Sequence, residues 1–216
     1  MKFLQRVPTQ IPFLGSVVVT VVAIVWNLAF EDAEGRFGTV GLALAYLAML
    51  LVFESRVALN SRGAEARSDD RGTGQAIACA RLVHVACALL WPVSWTHWEL
   101  WVVLPGVLVI SGVVLRHRAI RTLGRFYSRR VRTLEDHQAV THGPYRFVRH
   151  PAYTGALLMH LGMTLYQLNV LSVVTFLALL APAFVWRIRT EERLLMKITG
   201  YAEYARGRRR LLPLVW

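Results

Sequence analysis

Six mostly apolar stretches, at residues 11–30, 38–54, 76–94, 98–115, 152–167 and 170–188, recur along this 216-residue chain. A bilayer core of about 30 Å takes about 20 residues of helix to cross. Hydrocarbon offers no partner to an open backbone N–H or C=O, so such stretches must be helices that satisfy their own hydrogen bonds. The expected fold is therefore all-α: a polytopic integral membrane helical bundle of about five to six transmembrane helices. Residues 1–115 hold the first four segments. Residues 116–216 form a second region, a helical hairpin followed by an interfacial C-terminal helix. The first stretch follows Lys2 and Arg6 and faintly resembles a signal peptide. Its core is longer than a signal core and lacks a small-x-small cleavage site, so it reads as a retained helix.

The net charge of +12 is nearly all arginine, with Lys2 and Lys197 the only lysines. The charges flank apolar segments, which points to topology and anionic lipid headgroups; no groove-reading module suggests nucleic acid. The first connector, Glu31-Asp-Ala-Glu-Gly-Arg-Phe37, is mostly acidic, whereas the second carries Arg56, Arg62, Arg67 and Arg71. The third, near Ser94–Trp98, has no Arg or Lys, and the fourth, Arg116 to His150, is strongly basic. The positive-inside rule then places both termini and the two basic connectors in the cytoplasm, with Trp95, Trp98 and Trp101 in the opposite interfacial belt. The composition has a bacterial cast, which makes an inner-membrane, multi-pass protein the expectation. Cys79 and Cys87, eight residues apart in one helix, would lie about 12 Å apart, too far for a disulfide. No CxxC or Cys/His cluster suggests a metal.

The last two apolar segments form one hairpin, Pro151 to Arg187, broken at Gln167-Leu-Asn169, with Pro182 a candidate kink in its second arm. Its arms are short for a full crossing, so it can tilt or re-enter. Directly before it lies the tract Thr141-His-Gly-Pro-Tyr-Arg-Phe-Val-Arg-His-Pro-Ala-Tyr-Thr-Gly155. Proline keeps the preceding residue out of the α region yet suits a helix's first turn, so His150 should sit at the mouth of a helix opening at Pro151. The N–H groups there suit a carboxylate or phosphate, and Arg146 and Arg149 would add charge-assisted bonds. Gly143-Pro144-Tyr145 should turn tightly, while Tyr145 and Tyr153 offer rings and hydroxyls to a nucleoside.

Singly, these residues have plainer readings: topology signals and an interfacial histidine. Their density favours a site. At the hairpin's far end, Arg187 and Glu191 are spaced i,i+4, and Arg189 and Glu192 i,i+3. As surface pairs these would contribute a few tenths of a kcal/mol, roughly 0.2–0.5 each. An antiparallel hairpin would instead carry the carboxylates back to the Arg149-His150 corner, making one pocket on the cytoplasmic side. The tail, Glu191–Gly207, reads as an interfacial helix, and Arg206–Arg210 as a headgroup contact.

At this point roughly residues 118–213 resemble the isoprenylcysteine carboxyl methyltransferases. Those enzymes share Gly-x-Tyr-x-x-x-Arg-His-Pro-x-Tyr-x-Gly, a hydrophobic hairpin, then Arg, paired Glu, and a Gly/Tyr tail. Here these are Gly143, Tyr145, Arg149, His150, Pro151, Tyr153 and Gly155, then Arg187, Glu191, Glu192, Gly200, Tyr201 and Tyr204. Leu123-Gly124-Arg125-Phe126 and Asp136-His137 also look like the family's approach to the motif; the first helices contribute hydrophobicity only.

The resemblance implies S-adenosylmethionine as methyl donor, S-adenosylhomocysteine as product and a lipophilic, isoprenoid-like acceptor. It implies a cofactor site of Tyr145, Arg149, His150, Pro151, Tyr153, Glu191 and Glu192. Arg187 and Glu192 would be catalytic, and Arg187, Asn169 and Tyr204 would meet the acceptor. An acceptor carboxylate, with a pKa of about 3.5, is already ionised and needs no general base, which leaves alignment and desolvation as the catalytic task. Phospholipid N-methyltransferases carry a similar Arg-His-Pro element and Glu pair, so amine methylation is the alternative. An NADPH-dependent membrane reductase of the sterol type and a non-catalytic lipid-binding protein are more distant ones.

Overall fold

The computed structural model describes residues 10–30, 36–51, 72–91, 100–124, 127, 139–198 and 200–211. Each of the six expected apolar segments forms a helix over most of its described residues. They are α1 (Gln10–Phe30), α2 (Arg36–Met49), α3 (Thr73–Leu89), α4 (Val103–Leu123, preceded by a 3-10 turn at Leu100–Val102), α5 (Pro151–Gln167) and α6 (Val170–Leu195). A short α7 (Tyr201–Arg206) follows. Three helical spans are long and apolar enough to cross a bilayer by themselves: Ile11–Phe30, Leu100–Leu123 and Val170–Leu195. The helices α2, α3 and α5 are shorter; the 17 residues of α5 rise about 25 Å. The chain is thus a helical membrane protein with three full-length spans among the described residues. Trp95, Trp98, Asp136, His137 and most residues of the four connectors lie outside the described residues.

The hairpin differs from expectation in its second arm. That arm continues to Leu195, so Arg187–Glu192 is helical throughout, and only Tyr201–Arg206 remains of the expected tail helix. Pro182 does not end it. A π-turn, Phe176–Leu180, comes just before the proline and widens the helix where a ring would otherwise meet the preceding carbonyl.

The arms of the hairpin meet at Leu168, which adopts the left-handed conformation (φ 47°), and Asn169, whose side chain accepts from Ser172 N–H at 2.7 Å. Asn169 also donates to the carbonyl of Cys87 at 3.4 Å. The residue expected to touch the acceptor is therefore an N-cap. Asn169→Ala should lower stability by about 1 kcal/mol, read as a small drop in melting temperature, with turnover unchanged.

Between α4 and α5 the backbones touch. A Cβ on Gly112 would stand 2.6 Å from the carbonyl oxygen of Gly155 and from Met159 N, and one on Gly155 would stand 2.6 Å from Arg116 N. Gly162 repeats the pattern against Pro105. In lipid no hydrophobic force presses helices together, so close backbone approach through small residues supplies the packing energy. Around this seam, Ala23, Ala43, Tyr46, Leu50, Val85 and Leu89 of the first three helices pack with Met159 and Met163. Asn27 ties α1 to α3 by donating to the carbonyl of Leu89 (3.0 Å), and Gln167 ties α5 to α2 through Thr39 (3.1 Å). The outer faces of α1 and α4, with Leu14, Val18, Leu104, Val107 and Ile110, stay exposed, as lipid-facing surfaces should.

Candidate active site

Pro151 occupies the first turn of α5, and His150 before it is held off helical geometry at φ −125°, ψ 58°. The N–H groups of Arg149 and His150 do not stay open. They donate to the carbonyls of Arg209 (2.8 Å) and Arg210 (2.9 Å), and Val148 bridges to Arg209 in parallel. Thr154 Oγ1 donates to Leu211 O at 2.8 Å. A C-terminal strap, 208–211, is thereby laid along the motif segment.

This strap corrects the expectation that Arg206–Arg210 is wholly a headgroup contact. Arg210 turns inward and donates from Nε to Glu192 Oε2 at 2.5 Å. Arg208 donates to the carbonyl of Arg146 (3.1 Å) and its guanidinium covers the Tyr204 ring. Arg206 and Arg209 remain exposed.

Glu192, 5% exposed, is the hub. Its Oε1 lies 2.7 Å from Arg149 NH1 and 3.3 Å from His150 Nε2, while Arg210 holds Oε2. A carboxylate can only accept, so His150 Nε2 carries the hydrogen. These partners come from distant parts of the chain, and Arg189, its expected helical neighbour, is exposed.

A second group adjoins the first. Tyr153 O–H donates to Glu191 Oε2 at 2.6 Å, and Arg187 Nε donates to Tyr153 Oη at 3.1 Å. Arg187 is 3% exposed and donates from NH1 to Thr73 Oγ1 at 3.0 Å; its Nε also lies 3.9 Å from Glu191 Oε2. The Tyr153 ring stacks on His150 with centroids 5.7 Å apart, joining the two groups. An arginine buried at the end of a membrane helix is costly unless several partners satisfy it, which makes this place the candidate site. Among the described residues, three arginines (149, 187, 210) face the two glutamates.

The phenols behind these groups are neutral donors. Burial pushes Tyr145 and Tyr201 up, with the Glu191 charge adding for Tyr145 and the Glu192 charge for Tyr201. Tyr204 is pushed up to about 12, mainly by burial. Tyr204 O–H donates to the carbonyl of Tyr145 at 2.7 Å, which pins the tail to the Gly143–Arg146 turn. Three buried atoms here, Arg149 Nε, Tyr201 Oη and Thr190 Oγ1, have no hydrogen-bond partner among the described residues. Such atoms are expensive alone and suit a polar ligand.

The structure thus gathers Arg149, His150, Tyr153, Arg187, Glu191 and Glu192 at one end of the hairpin, beside Pro151 and with Tyr145 and Tyr204 behind. It does not bring Asn169 there: 18 residues of helix, about 27 Å, separate Asn169 from Arg187. Tyr204 is committed to a backbone carbonyl. Sequence reasoning missed Arg210, Tyr201, Thr190 and Thr73. Arg210 carried a signal, its place in a basic run, which also reads as a headgroup contact, and Tyr201 stood in the Gly/Tyr tail of the family pattern; Thr190 and Thr73 carried none. The third helix supplies Thr73, so the N-terminal half contributes more than hydrophobicity.

A model of the isoprenylcysteine carboxyl methyltransferase (ICMT) family matches residues 103–197. The chain is 37% identical over 145 residues to the rice (Oryza sativa subsp. indica) "Probable protein-S-isoprenylcysteine O-methyltransferase", covering 65% of this chain and 75% of that protein. It is 34% identical over 129 residues to protein-S-isoprenylcysteine O-methyltransferase B of Arabidopsis thaliana, covering 57% and 64%. With protein-S-isoprenylcysteine O-methyltransferase of Saccharomyces cerevisiae (strain ATCC 204508 / S288c) the identity is 39% over 110 residues, 49% and 46%. The chain belongs to the isoprenylcysteine carboxyl methyltransferase family. It is accordingly a membrane methyltransferase. The matched segment holds both arms of the hairpin and the whole Arg149–Glu192 cluster, whereas Thr73 and Arg210 lie outside it.

Proposed function

We propose that this enzyme transfers a methyl group from S-adenosylmethionine to the carboxylate of a lipophilic acid of the prenylcysteine type. The observation that carries the reading is the chain from buried Arg187 through Tyr153 to Glu191, set against the Glu192 hub at the membrane end of a helical hairpin. The donor-set chemistry fits the cofactor. Arg149 Nε, Tyr201 Oη and Thr190 Oγ1 are buried polar atoms in want of partners, and the Glu191 carboxylate suits a neighbouring sulfonium. S-adenosylmethionine bound there would supply an electrophilic methyl group.

The residues of the chain do the rest. Glu192 holds Arg149, His150 and Arg210 in register, which orients the cofactor's polar end. Arg187 receives the acceptor carboxylate with a planar fork of donors. That acceptor is already ionised at neutral pH, so no side chain need remove a proton. Burial of the cluster excludes water and brings the reacting groups into line. A buried guanidinium would repel an ammonium acceptor, which favours carboxyl over amine methylation.

The site faces the cytoplasm in this reading, with both termini on that side. The shorter helices complete a bundle of five or six membrane segments, residues 1–115 scaffolding the catalytic region 116–216. Exposed Arg206 and Arg209 meet anionic headgroups.

Arg187→Ala tests the assignment. Turnover should disappear while affinity for S-adenosylhomocysteine, measured by isothermal titration in detergent, stays within about threefold of wild type. Parallel collapse of both would move Arg187 into the cofactor pocket.

A further inference from the structure

From the N-terminal half of the chain, Thr73 reaches Arg187 with its hydroxyl. We propose that Thr73 is a positioning residue for the acceptor: its hydroxyl fixes the plane of the Arg187 guanidinium that receives the carboxylate. This rests on Arg187 being the acceptor's contact.

Thr73 is fully buried and is the first residue of α3. Gly72 before it takes φ 80°, a left-handed turn open to glycine, and so swings the chain into the helix with the hydroxyl facing α6. Arg187 donates to it from NH1 at 3.0 Å and, from Nε, to Tyr153 Oη at 3.1 Å. Acceptors on two edges of a planar group restrict its orientation more than either does alone, and the Thr73 hydroxyl sets the Nη1 edge. Tyr153 is itself held by Glu191 and by stacking on His150, so its anchor belongs to the cofactor side. The Thr73 anchor belongs to a different helix. Losing it should therefore disturb acceptor alignment and spare cofactor binding. Thr73 precedes residues 103–197, the stretch that the family model matches.

The full chain in detergent, assayed with labelled methyl donor and an S-prenylated N-acylcysteine as acceptor, tests this. Thr73→Val keeps the shape and removes the hydroxyl; kcat/KM should fall about tenfold or more, with S-adenosylhomocysteine affinity within about threefold. Thr73→Ser should stay within about threefold of wild type. In an Arg187→Lys background, which itself should lose most turnover, Thr73→Val should add nothing. Thr73→Ala removes the same hydroxyl without the branched side chain and takes its place if the valine variant unfolds. Wild-type rates in the hydroxyl-free variant, a serine variant as poor as valine, equal loss of cofactor affinity, or an additive double variant would each overturn the proposal. Full turnover in Arg187→Lys alone would instead remove the role given to Arg187.

Discussion

Gly155→Val should yield no folded enzyme. A Cβ at this position alone would lie 2.6 Å from Arg116 N and from the Gly112 carbonyl, both backbone atoms that cannot step aside. Overpacking in a soluble core typically costs about 1–3 kcal/mol because side chains shift. Here two helices must separate, and in lipid no hydrophobic force draws them back. The separation would also move Arg116, which donates to the carbonyl of Ala152 at 3.1 Å, and with it the start of α5 where His150 and Tyr153 are set. Size-exclusion profile and thermal melting in detergent read the outcome. Gly112→Val should behave alike, since it faces the same contact from α4. A monodisperse variant melting at the wild-type temperature would contradict the packing seen at this seam.

Glu192→Gln should be the most damaging change that leaves the shape of the site intact. Its carboxylate neutralises Arg149 and Arg210 at 2.7 and 2.5 Å and accepts from His150. A neutral amide leaves the nearly buried Arg149 guanidinium, and the partly exposed Arg210 beside it, without their counter-charge. Removing one partner of a buried pair typically costs about 3–5 kcal/mol. Part of that loss should appear as a lower melting temperature as the strap 208–211 loosens. Affinity for S-adenosylhomocysteine should fall by about a hundredfold or more, and turnover with it. Arg210→Ala separates the two effects: it frees the strap but leaves Arg149 paired, so it should lose stability and keep more of the binding. If Glu192→Gln binds the product like wild type, the carboxylate is a structural hub only.

Helices were legible because hydrocarbon permits so little else: each of the six apolar stretches forms a helix among the described residues. Their lengths were less so, since the sequence cannot say where a helix with charged last turns stops; α6 runs on through Arg187–Glu192 to Leu195. The Arg149-His150 corner was legible through Pro151, whose ring constrains its predecessor, and the opposite corner through the hairpin break at Gln167–Asn169. Which cation pairs with which carboxylate was not. Spacing within α6 suggested Arg189 for Glu192, whereas tertiary folding supplies Arg149, His150 and Arg210 from far along the chain. Asn169 has the residue type for either a ligand contact or a helix cap, and its position at the hairpin turn made it a cap. Thr73 left no trace in the sequence, because a lone threonine at a helix start is ordinary until the fold sets Arg187 beside it.

Carboxyl methylation can be read from the fate of the label. The purified full chain, given methyl-labelled S-adenosylmethionine and an S-prenylated N-acylcysteine, should release its incorporated label as volatile methanol on mild base treatment, because only a methyl ester hydrolyses that way. Replacing the acid by the corresponding primary amide should abolish incorporation. Label that survives base, or that enters the amide as readily as the acid, would mean that Arg187 does not serve a carboxylate.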